Sequence, residues 1–401
     1  MKKLLIIETE YVGHYLTGYI KYILRALNKK NIQIYLLTSK GAVKHGKGAL
    51  EILKKEKVNF YIKTIPSVNV LHKNFISLII YQLRQYFLIK KKFNVLNDQI
   101  KFDHVILTSI QRIDKVISFL GSPFGSTKFS GIFLGLKFHL NKFKIKSSSV
   151  NHFLSRFLFF KLLKIKTLTK ILTNDYLLKN YLKDEKCLNN KKVMFLHDPK
   201  EFNFRYSRMN ALKKLNINSN KFIILVYGAI IDSKGVEELL NIYKHDSENI
   251  HCLIVGKQLG NAGKYLKNNP FVNNLKKNNI ISIYDEWQNE EKESIFFNAA
   301  DAIWVGYKNY SFPSGVMYQA ACLNKPTIWS KQAGFINDLN KKHKIGISCD
   351  VNEPSEILKA IKKIKNNKYK LILKKNISKF HQISKSSIWT KKFKDYILDI
   401  I

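Results

Sequence analysis

The sequence of 401 residues has few cysteines and lacks a long apolar run. Its four cysteines are far apart and form no Cys-x-x-Cys pair, which argues against a disulfide framework or a metal cluster and fits a reducing cytoplasm. No stretch reaches the roughly 18 apolar residues of a membrane-spanning helix. The first apolar run, LLII, stops at Glu8 and is shorter than the core of a secretory signal. We therefore predict a cytoplasmic protein that is soluble or peripheral to the membrane.

Acidic residues are scarce, and they are unevenly distributed. The chain has 69 Lys and Arg against 29 Asp and Glu, a formal net charge of +40. Up to residue 197 the numbers are 36 and 10, and residues 57–97 and 115–174 contain no acid. Such a field concentrates anionic partners, including phosphorylated substrates, anionic lipid and nucleic acid. No DNA- or RNA-binding motif is evident and the acid-free segments hold apolar clusters, so nucleic acid is not a predicted partner.

Strand-like runs alternate with helical patterns along almost the whole chain. One series includes KLLIIE, IQIYLLT and HVILTS, and a second restarts with FIILVYG, HCLIVG and AIWVGY. Two such series predict an α/β fold with two doubly wound parallel sheets. An Asp-Pro turn within residues 197–210 indicates the boundary. We expect domains at 1–197 and 198–375, and a C-terminal helix in 376–401 that packs back toward the first domain.

The segment SFPSGVMYQAACLNKPTIW, residues 311–329, predicts a helix followed by a buried strand. Ser314 is a favourable N-cap, Asn324 tolerates the left-handed conformation that closes a helix, and Pro326 cannot continue one. A helix that starts at Ser314 and Gly315 exposes backbone N–H groups and the positive end of its dipole, which suits a phosphate. The alternative is a plain capped helix of an α/β domain.

Five segments of the second half carry a family resemblance: VYGAIIDSKGVEELL, HCLIVG, EEKESIFFNAADAIWVGY, SGVMYQAACLNKPTI and GFINDL. In their order and spacing the chain resembles glycosyltransferases of the GT-B class, particularly glycosyltransferase family 4, also called group 1. The resemblance implies two Rossmann-like domains facing a central cleft, with a nucleotide-sugar on the C-terminal domain and the acceptor on the N-terminal one. It also implies glycosyl transfer to an acceptor hydroxyl with retention at the anomeric carbon, and without a metal or other cofactor.

The donor site departs from the pattern of that family. The family's Gly-Arg-Leu turn reads Gly228, Ala229 and Ile230 here, whereas the Lys of its Lys-Gly pair is kept as Lys234. Ser311 and Gln319 stand where the family often has two Glu, although a Gln amide can still hydrogen-bond ribose hydroxyls. The donor-binding residues implied by the resemblance are Gly228, Lys234, Trp287, Ser311, Ser314, Gly315 and Gln319.

Three of the candidate residues have alternative interpretations. Gly13 and His14 follow the first strand, where ligands of doubly wound sheets bind. We interpret Gly13 as part of an acceptor or phosphate loop, with a turn glycine as the alternative, and His14 as a catalytic acid or base, with a surface histidine as the alternative. Trp287, just beyond IISIY, is interpreted as stacking on the nucleobase, or else as covering a core edge.

The segment NHFLSRFLFFKLLKIK predicts an amphipathic helix on the first domain. At about 100° per residue, one stripe is suited to the core and consists of Leu154, Leu158, Leu162 and Ile165. The opposite face mixes aromatic and cationic side chains, as at a bilayer interface. The predicted membrane-facing residues are Phe153, Arg156, Phe157, Phe160, Lys161 and Lys164. The alternative is that these Phe side chains cover a neighbouring helix.

Together these features predict a glycosyltransferase that acts on a lipid-linked or polysaccharide acceptor in cell-surface polysaccharide synthesis, such as that of O-antigen or capsule. Its partners would be a nucleotide-diphosphate sugar, that acceptor and the anionic inner face of the cell membrane. The alternative is a catalytically inactive GT-B scaffold or sugar-nucleotide-binding protein, which the substitutions at Ala229, Ser311 and Gln319 support.

Overall fold

The computed structural model describes residues 1–9, 16–45, 47–67, 74–143, 152–185, 189–245, 249–332 and 334–400. Contacts within the chain divide it into two compact units. The first holds Met1–Phe143, Ser147–Pro199 and Ser386–Ile401, and the second holds Lys200–Lys385. The second unit thus begins directly after Pro199 of the predicted Asp-Pro turn.

The first unit is built on a parallel sheet. Its strands are β1 (Lys2–Glu8), β2 (Ile32–Ser39), β3 (Tyr61–Ile65), β4 (His104–Leu107), β5 (Lys128–Ile132), β6 (Leu168–Thr173) and β7 (Val193–Phe195). They lie in the order β3-β2-β1-β4-β5-β6-β7, and neighbouring strands are parallel. The order reverses at β1, as in a doubly wound sheet.

Helices cover both faces of this sheet. They are α1 (Lys21–Leu27), α2 (Lys40–His45), α3 (Lys47–Lys55), α4 (Phe75–Ile100), α5 (Asp114–Leu120), α6 (His152–Leu163) and α7 (Tyr176–Asp184). Alternate residues of β1 serve separate apolar clusters, with Leu5 and Ile7 in one and Leu4 and Ile6 in the other. Because both faces of the strand are buried, its sequence is continuously apolar and not alternating.

The second unit repeats this arrangement. Its strands are β8 (Phe222–Tyr227), β9 (Ile250–Val255), β10 (Ile281–Tyr284), β11 (Ala302–Val305), β12 (Thr327–Ser330) and β13 (Gly346–Cys349), in the parallel order β10-β9-β8-β11-β12-β13. Its helices are α8 (Arg208–Leu215), α9 (Val236–Leu240), α10 (Gly260–Asn268), α11 (Pro270–Lys277), α12 (Glu290–Ala299), α13 (Gly315–Cys322), α14 (Gly334–His343), α15 (Pro354–Lys365) and α16 (Asn367–Ser384). The predicted α/β fold with two Rossmann-like sheets is confirmed.

The chain returns to the first unit through α17 (Ser386–Leu398). Trp389, Phe393 and Ile397 recur every four residues on one face of α17 and join the apolar cluster that holds Tyr22 of α1. The sequence prediction began the returning helix at residue 376. Residues 376–385 lie instead with the second unit, because α16 runs unbroken to Ser384.

The order of the second sheet places its ligand-binding edge. The sheet reverses at β8, which has β9 on one side and β11 on the other. Doubly wound sheets bind ligands outside the carboxyl ends of the strands at such a point. The loop after β8 and the N-terminus of α13, which follows β11, both lie at this edge because helices that follow parallel strands begin where the strands end.

Candidate functional site

The loop after β8 needs glycine at two positions. Gly228 has a φ of +99° and Gly235 a φ of +64°, in the region that other residues rarely adopt. A Cβ on Gly235 would lie 2.3 Å from the carbonyl oxygen of Gly306. Between the two glycines, Asp232–Lys234 forms a single 3-10 turn. This tight loop brings the side chain of Lys234 back over the end of β8.

Lys234 supplies a buried cation at this edge. Its ammonium donates to the carbonyl oxygen of Tyr227 at 3.0 Å and to the hydroxyl oxygen of Tyr307 at 2.7 Å, and lies 4.3 Å from the centre of the Tyr307 ring. It is also 3.6 Å from where a Cβ on Gly228 would be. Burial lowers the pKa of Lys234 from its ordinary 10.5 to about 7, because the ammonium loses its hydration. An anionic ligand at this place would restore the charged form.

Tyr307 connects Lys234 with α13. Its hydroxyl oxygen accepts from Lys234 and also shares a hydrogen bond of 3.2 Å with the Oγ of Ser314. Ser314 occupies the predicted N-cap position, but its side chain makes no capping hydrogen bond. The Ser314 hydroxyl faces Tyr307 instead, so it does not occupy the backbone N–H groups in the first turn of α13.

A second cation lies beside the same helix. A Cβ built on Gly315 would lie 3.3 Å from the Cε atom and 3.7 Å from the Nζ atom of Lys200. Glycine at this position therefore gives the lysine side chain room next to the first turn of α13. The carbonyl oxygen of Lys200 accepts from the Sγ of Cys322 at 3.3 Å, which fixes this segment along the helix.

Gln319, in the second turn of α13, is 7% exposed. Its side-chain amide donates to the carboxylate of Glu293, which lies near the start of α12. The hydroxyl of Tyr227 also hydrogen-bonds to this carboxylate. Burial raises the pKa of the Glu293 carboxyl, while the charge of Lys200 and these hydrogen bonds oppose the rise. The result is a polar cluster of Lys200, Tyr227, Glu293 and Gln319 at the carboxyl edge of the sheet.

Tyr227 joins the two parts of the site, since its carbonyl oxygen accepts from Lys234 and its hydroxyl meets Glu293. The structure therefore brings most of the predicted donor residues to one place. They are Gly228, Lys234, Ser314, Gly315 and Gln319.

The remaining predicted residues lie elsewhere. Ser311 is buried in the loop before α13. Trp287 is 58% exposed on the loop between β10 and α12, next to the outermost strand of the sheet. Gly13 and His14 fall outside the described residues.

Sequence reasoning missed Lys200, Tyr227, Glu293 and Tyr307. The two tyrosines had a usable signal, because Tyr227 ends the central strand β8 and Tyr307 lies two residues after β11. The other two had none. Glu293 is 26 residues from Gln319, and Lys200 is 122 residues from Cys322, so only the fold brings them to α13.

A separate cavity of about 720 Å³ lies at the opposite, amino edge of the second sheet. Its basic lining includes Lys221, Lys365, Lys370 and Lys374. Asp301 at this cavity accepts from Arg208 at 2.7 and 2.8 Å and from the backbone N–H of Ile223, so it braces the fold. Within the described ranges, no three His, Cys, Asp or Glu side chains are placed to hold a metal ion.

The predicted membrane face of α6 is only partly formed. Phe160 packs against the core and is not fully exposed, and Arg156 pairs with Glu185 at 3.2 Å. The buried side chains of α6 are Leu158, Phe159, Leu162 and Leu163. The core thus takes a wider part of the helix than the predicted stripe, because α6 packs against α5 as well as against the aromatic side chains of Phe133 and Phe138.

What remains exposed on α6 is aromatic and basic. Phe153 is 84% and Phe157 49% exposed, and Lys164, which directly follows α6, is exposed as well. Lys161 lies 4.6 Å from the ring centre of Phe119, at the end of α5, and 5.8 Å from that of Phe157. In the part of the chain that the structure describes, no helix is long and apolar enough to cross a bilayer.

Similarity to known proteins agrees with this geometry. The family "Glycosyl transferases group 1" matches residues 207–382, from the start of α8 into α16. No curated protein matches the chain by sequence.

Solved structures match over the whole chain in fold. HepE from Anabaena in complex with UDP has 13% identity over 100% of both chains and a TM-score of 0.69. Sucrose-phosphate synthase from Thermosynechococcus elongatus has 13% identity over 100% of this chain and 99% of its own, with a TM-score of 0.72. UDP-GlcNAc 2-epimerase from Neisseria meningitidis, bound to UDP-GlcNAc, has 14% identity over 100% of this chain and 99% of its own, with a TM-score of 0.61. The chain thus has the GT-B fold, and its residues 207–382 are similar to the glycosyl transferases of group 1.

Proposed function

We propose that the protein is a glycosyltransferase that binds the diphosphate of a nucleotide-sugar between Lys234 and the N-terminus of α13. The observation that carries this proposal is the hydrogen-bonded series Lys234, Tyr307 and Ser314, which brings a cation and a helix N-terminus to one place. A cation together with backbone N–H groups suits a phosphate. HepE was solved with UDP and the 2-epimerase with UDP-GlcNAc, so uridine nucleotides are the first donors to test.

The proposed reaction breaks the bond between the anomeric carbon and the diphosphate oxygen, and forms a bond from that carbon to the acceptor oxygen with retained configuration. The acceptor hydroxyl gives its proton to the departing diphosphate. Negative charge grows on the diphosphate as the bond breaks. Lys234 and the backbone N–H of Gly315 would stabilise this charge more strongly in the transition state than in the bound donor. In this proposal the protein's own cation and helix N-terminus take the place of a metal ion.

The donor site would differ from the resembled family in its second cation. Ala229 cannot provide a guanidinium, whereas the Lys200 side chain lies against Gly315. We place Lys200 as a second positive charge near the diphosphate, as a single point charge without the planar geometry of an arginine. Trp287 would stack on the nucleobase, and Ser311 would face the donor sugar.

The acceptor is proposed to be a lipid-linked or polysaccharide chain at the inner face of the cell membrane, in the synthesis of a surface polysaccharide such as O-antigen or capsule. The exposed Phe153 and Phe157, with Lys161 and Lys164, support this part. Aromatic rings can enter the headgroup boundary while lysine side chains extend to lipid phosphates.

The test is a panel of UDP-, GDP-, CDP- and ADP-sugars incubated with the purified protein. A transferase should release the nucleoside diphosphate from at least one of them, slowly to water and faster with a suitable acceptor. An inactive sugar-nucleotide-binding protein would raise its melting temperature with a nucleotide but release nothing. Because the 2-epimerase shares the fold, the recovered sugar should also be checked for epimerisation. No thermal shift and no turnover with any donor would refute the proposal.

A further inference from the structure

A carboxylate lies directly against Gln319, although residue 319 is itself an amide and not a glutamate. The Gln319 Nε2 donates to the Oε1 of Glu293, which comes from α12. Both side chains lie at the carboxyl edge of the sheet, because Gln319 is in the second turn of α13 and Glu293 is near the start of α12.

This contact determines which way the Gln319 amide faces. A carboxylate has only acceptor atoms, whereas the end of a glutamine carries a donor NH₂ group and an acceptor oxygen. Gln319 must therefore turn its NH₂ group toward Glu293, which directs its Oε1 away. Glu293 is itself held in place, since the hydroxyl of Tyr227 also bonds to it and the positive charge of Lys200 lies nearby.

We propose that Glu293 is a positioning residue that holds the Gln319 amide with its acceptor oxygen toward the donor nucleotide, where that oxygen accepts a hydrogen bond from a ribose hydroxyl. This inference rests on the proposed donor site at α13. Gln319 and Glu293 together give the ribose an acceptor oxygen, as a carboxylate at position 319 would. The negative charge is then on Glu293, one side chain further from the ribose. Glu293 therefore affects selectivity for the hydroxyl without contacting the nucleotide.

The experiment measures hydroxyl selectivity, defined as the ratio of the Kd values of a deoxy-UDP and UDP, by calorimetry. The probes are UDP, 2′-deoxy-UDP and 3′-deoxy-UDP. The variants are Glu293→Gln, Gln319→Glu and the exchanged pair E293Q/Q319E. Glu291→Gln is the matched control, because Glu291 lies on the same helix and its carboxylate accepts from the Tyr206 hydroxyl at 2.8 Å.

For the wild-type protein we expect UDP to bind about 3- to 10-fold more tightly than one of the deoxy probes, as one hydrogen bond predicts. The selectivity should fall in Glu293→Gln, because the Gln319 amide then has no fixed orientation and is free to turn either end outward. In Gln319→Glu the residue at 319 is itself an acceptor, so selectivity should persist, but two facing carboxylates should weaken UDP binding until the pH falls and one of them binds a proton. The exchanged pair restores one carboxylate and one amide and should regain the wild-type selectivity across the pH range.

A purely structural role for Glu293 would lower thermal stability in the single variants without changing the ratio of the two Kd values. Unchanged selectivity in a folded Glu293→Gln protein, or an exchanged pair no more selective than Glu293→Gln, would overturn the inference. If the wild-type protein bound none of the nucleotides of the donor panel, the proposed donor site itself would fail. If UDP bound in a Lys234-dependent manner but selectivity ignored Glu293, only this inference would fail.

Discussion

The lowered pKa of Lys234 predicts that nucleotide binding weakens as the pH rises through neutrality. The pKa is about 7 in the free protein, so half of the molecules carry the ammonium at pH 7. A bound diphosphate favours the charged form and should raise the pKa by several units. Binding at pH 8 should therefore take up close to one proton per site.

The magnitude follows from the fraction of free protein that is already protonated. With a pKa of about 7, this fraction falls roughly fivefold from pH 7 to 8 and about 50-fold from pH 7 to 9, and the affinity should fall with it. The pH dependence of stability has the opposite sign to that of binding. The pKa of Lys234 is lower in the native than in the unfolded state, so the native state binds fewer protons between pH 7 and 10.5. The unfolding free energy should therefore rise with pH over that range, by at most about 1.4 kcal/mol per pH unit.

Calorimetry in two buffers of different ionisation enthalpy would measure both the affinity and the proton uptake. Lys234→Arg is the matched control, because a guanidinium stays charged throughout and should bind UDP with a flat pH profile. Lys234→Met should bind weakly at every pH, and its unfolding free energy should exceed that of the wild type most at pH 7. Equal UDP affinity of the wild-type protein at pH 7 and 9, or one pH profile shared by all three proteins, would refute the reasoning.

Further predictions concern the fold and the membrane surface. Gly235→Ala should lower the unfolding free energy by about 2 kcal/mol or more in denaturant titrations, because its positive φ and the nearby backbone leave no room for a Cβ; an unchanged midpoint would contradict the loop geometry. Trp389→Ala should cost about 3 to 5 kcal/mol through the cavity left between α17 and α1, measured in the same way. The double variant Lys161→Gln/Lys164→Gln should bind anionic vesicles more weakly in a sedimentation assay, by about 1 kcal/mol of binding free energy for each lysine. Arg156→Gln should change vesicle binding little, because Arg156 is already paired with Glu185. Equal effects of the two variants would argue against a defined docking face.

The elements of the fold were predictable because buried parallel strands are continuous apolar runs. Three such runs could be identified as strands without knowing which strands they pair with: FIILVY, HCLIV and AIWV. The observed strands β8, β9 and β11 contain these residues. The end of α13 also followed from local chemistry, since Asn324 has a φ of +55°. The break between α16 and α17 was missed because no glycine or proline precedes it, and tertiary packing decides where the chain leaves the second unit.

The site was predictable where a single loop or helix contains its residues. Gly228 and Lys234 lie in the same loop after β8, so their spacing placed them together. The Ser314 hydroxyl was expected to cap its own helix, but the Tyr307 hydroxyl competes for it and lies 3.2 Å away. The local sequence predicts a capping role for Ser314. Whether Ser314 bonds to its own helix or to Tyr307 depends on β11, which lies outside the segment 311–329.

The departures from the family pattern are best understood together. Loss of the arginine at Ala229 removes a positive charge, and loss of the carboxylate at Gln319 removes a negative one. The structure returns one charge of each sign from other segments, with Lys200 beside Gly315 and Glu293 against Gln319. Because the opposite losses are matched by opposite replacements, the potential at the N-terminus of α13 changes less than either substitution alone would suggest. The same balance explains why the substitutions at 229 and 319 do not by themselves indicate an inactive protein.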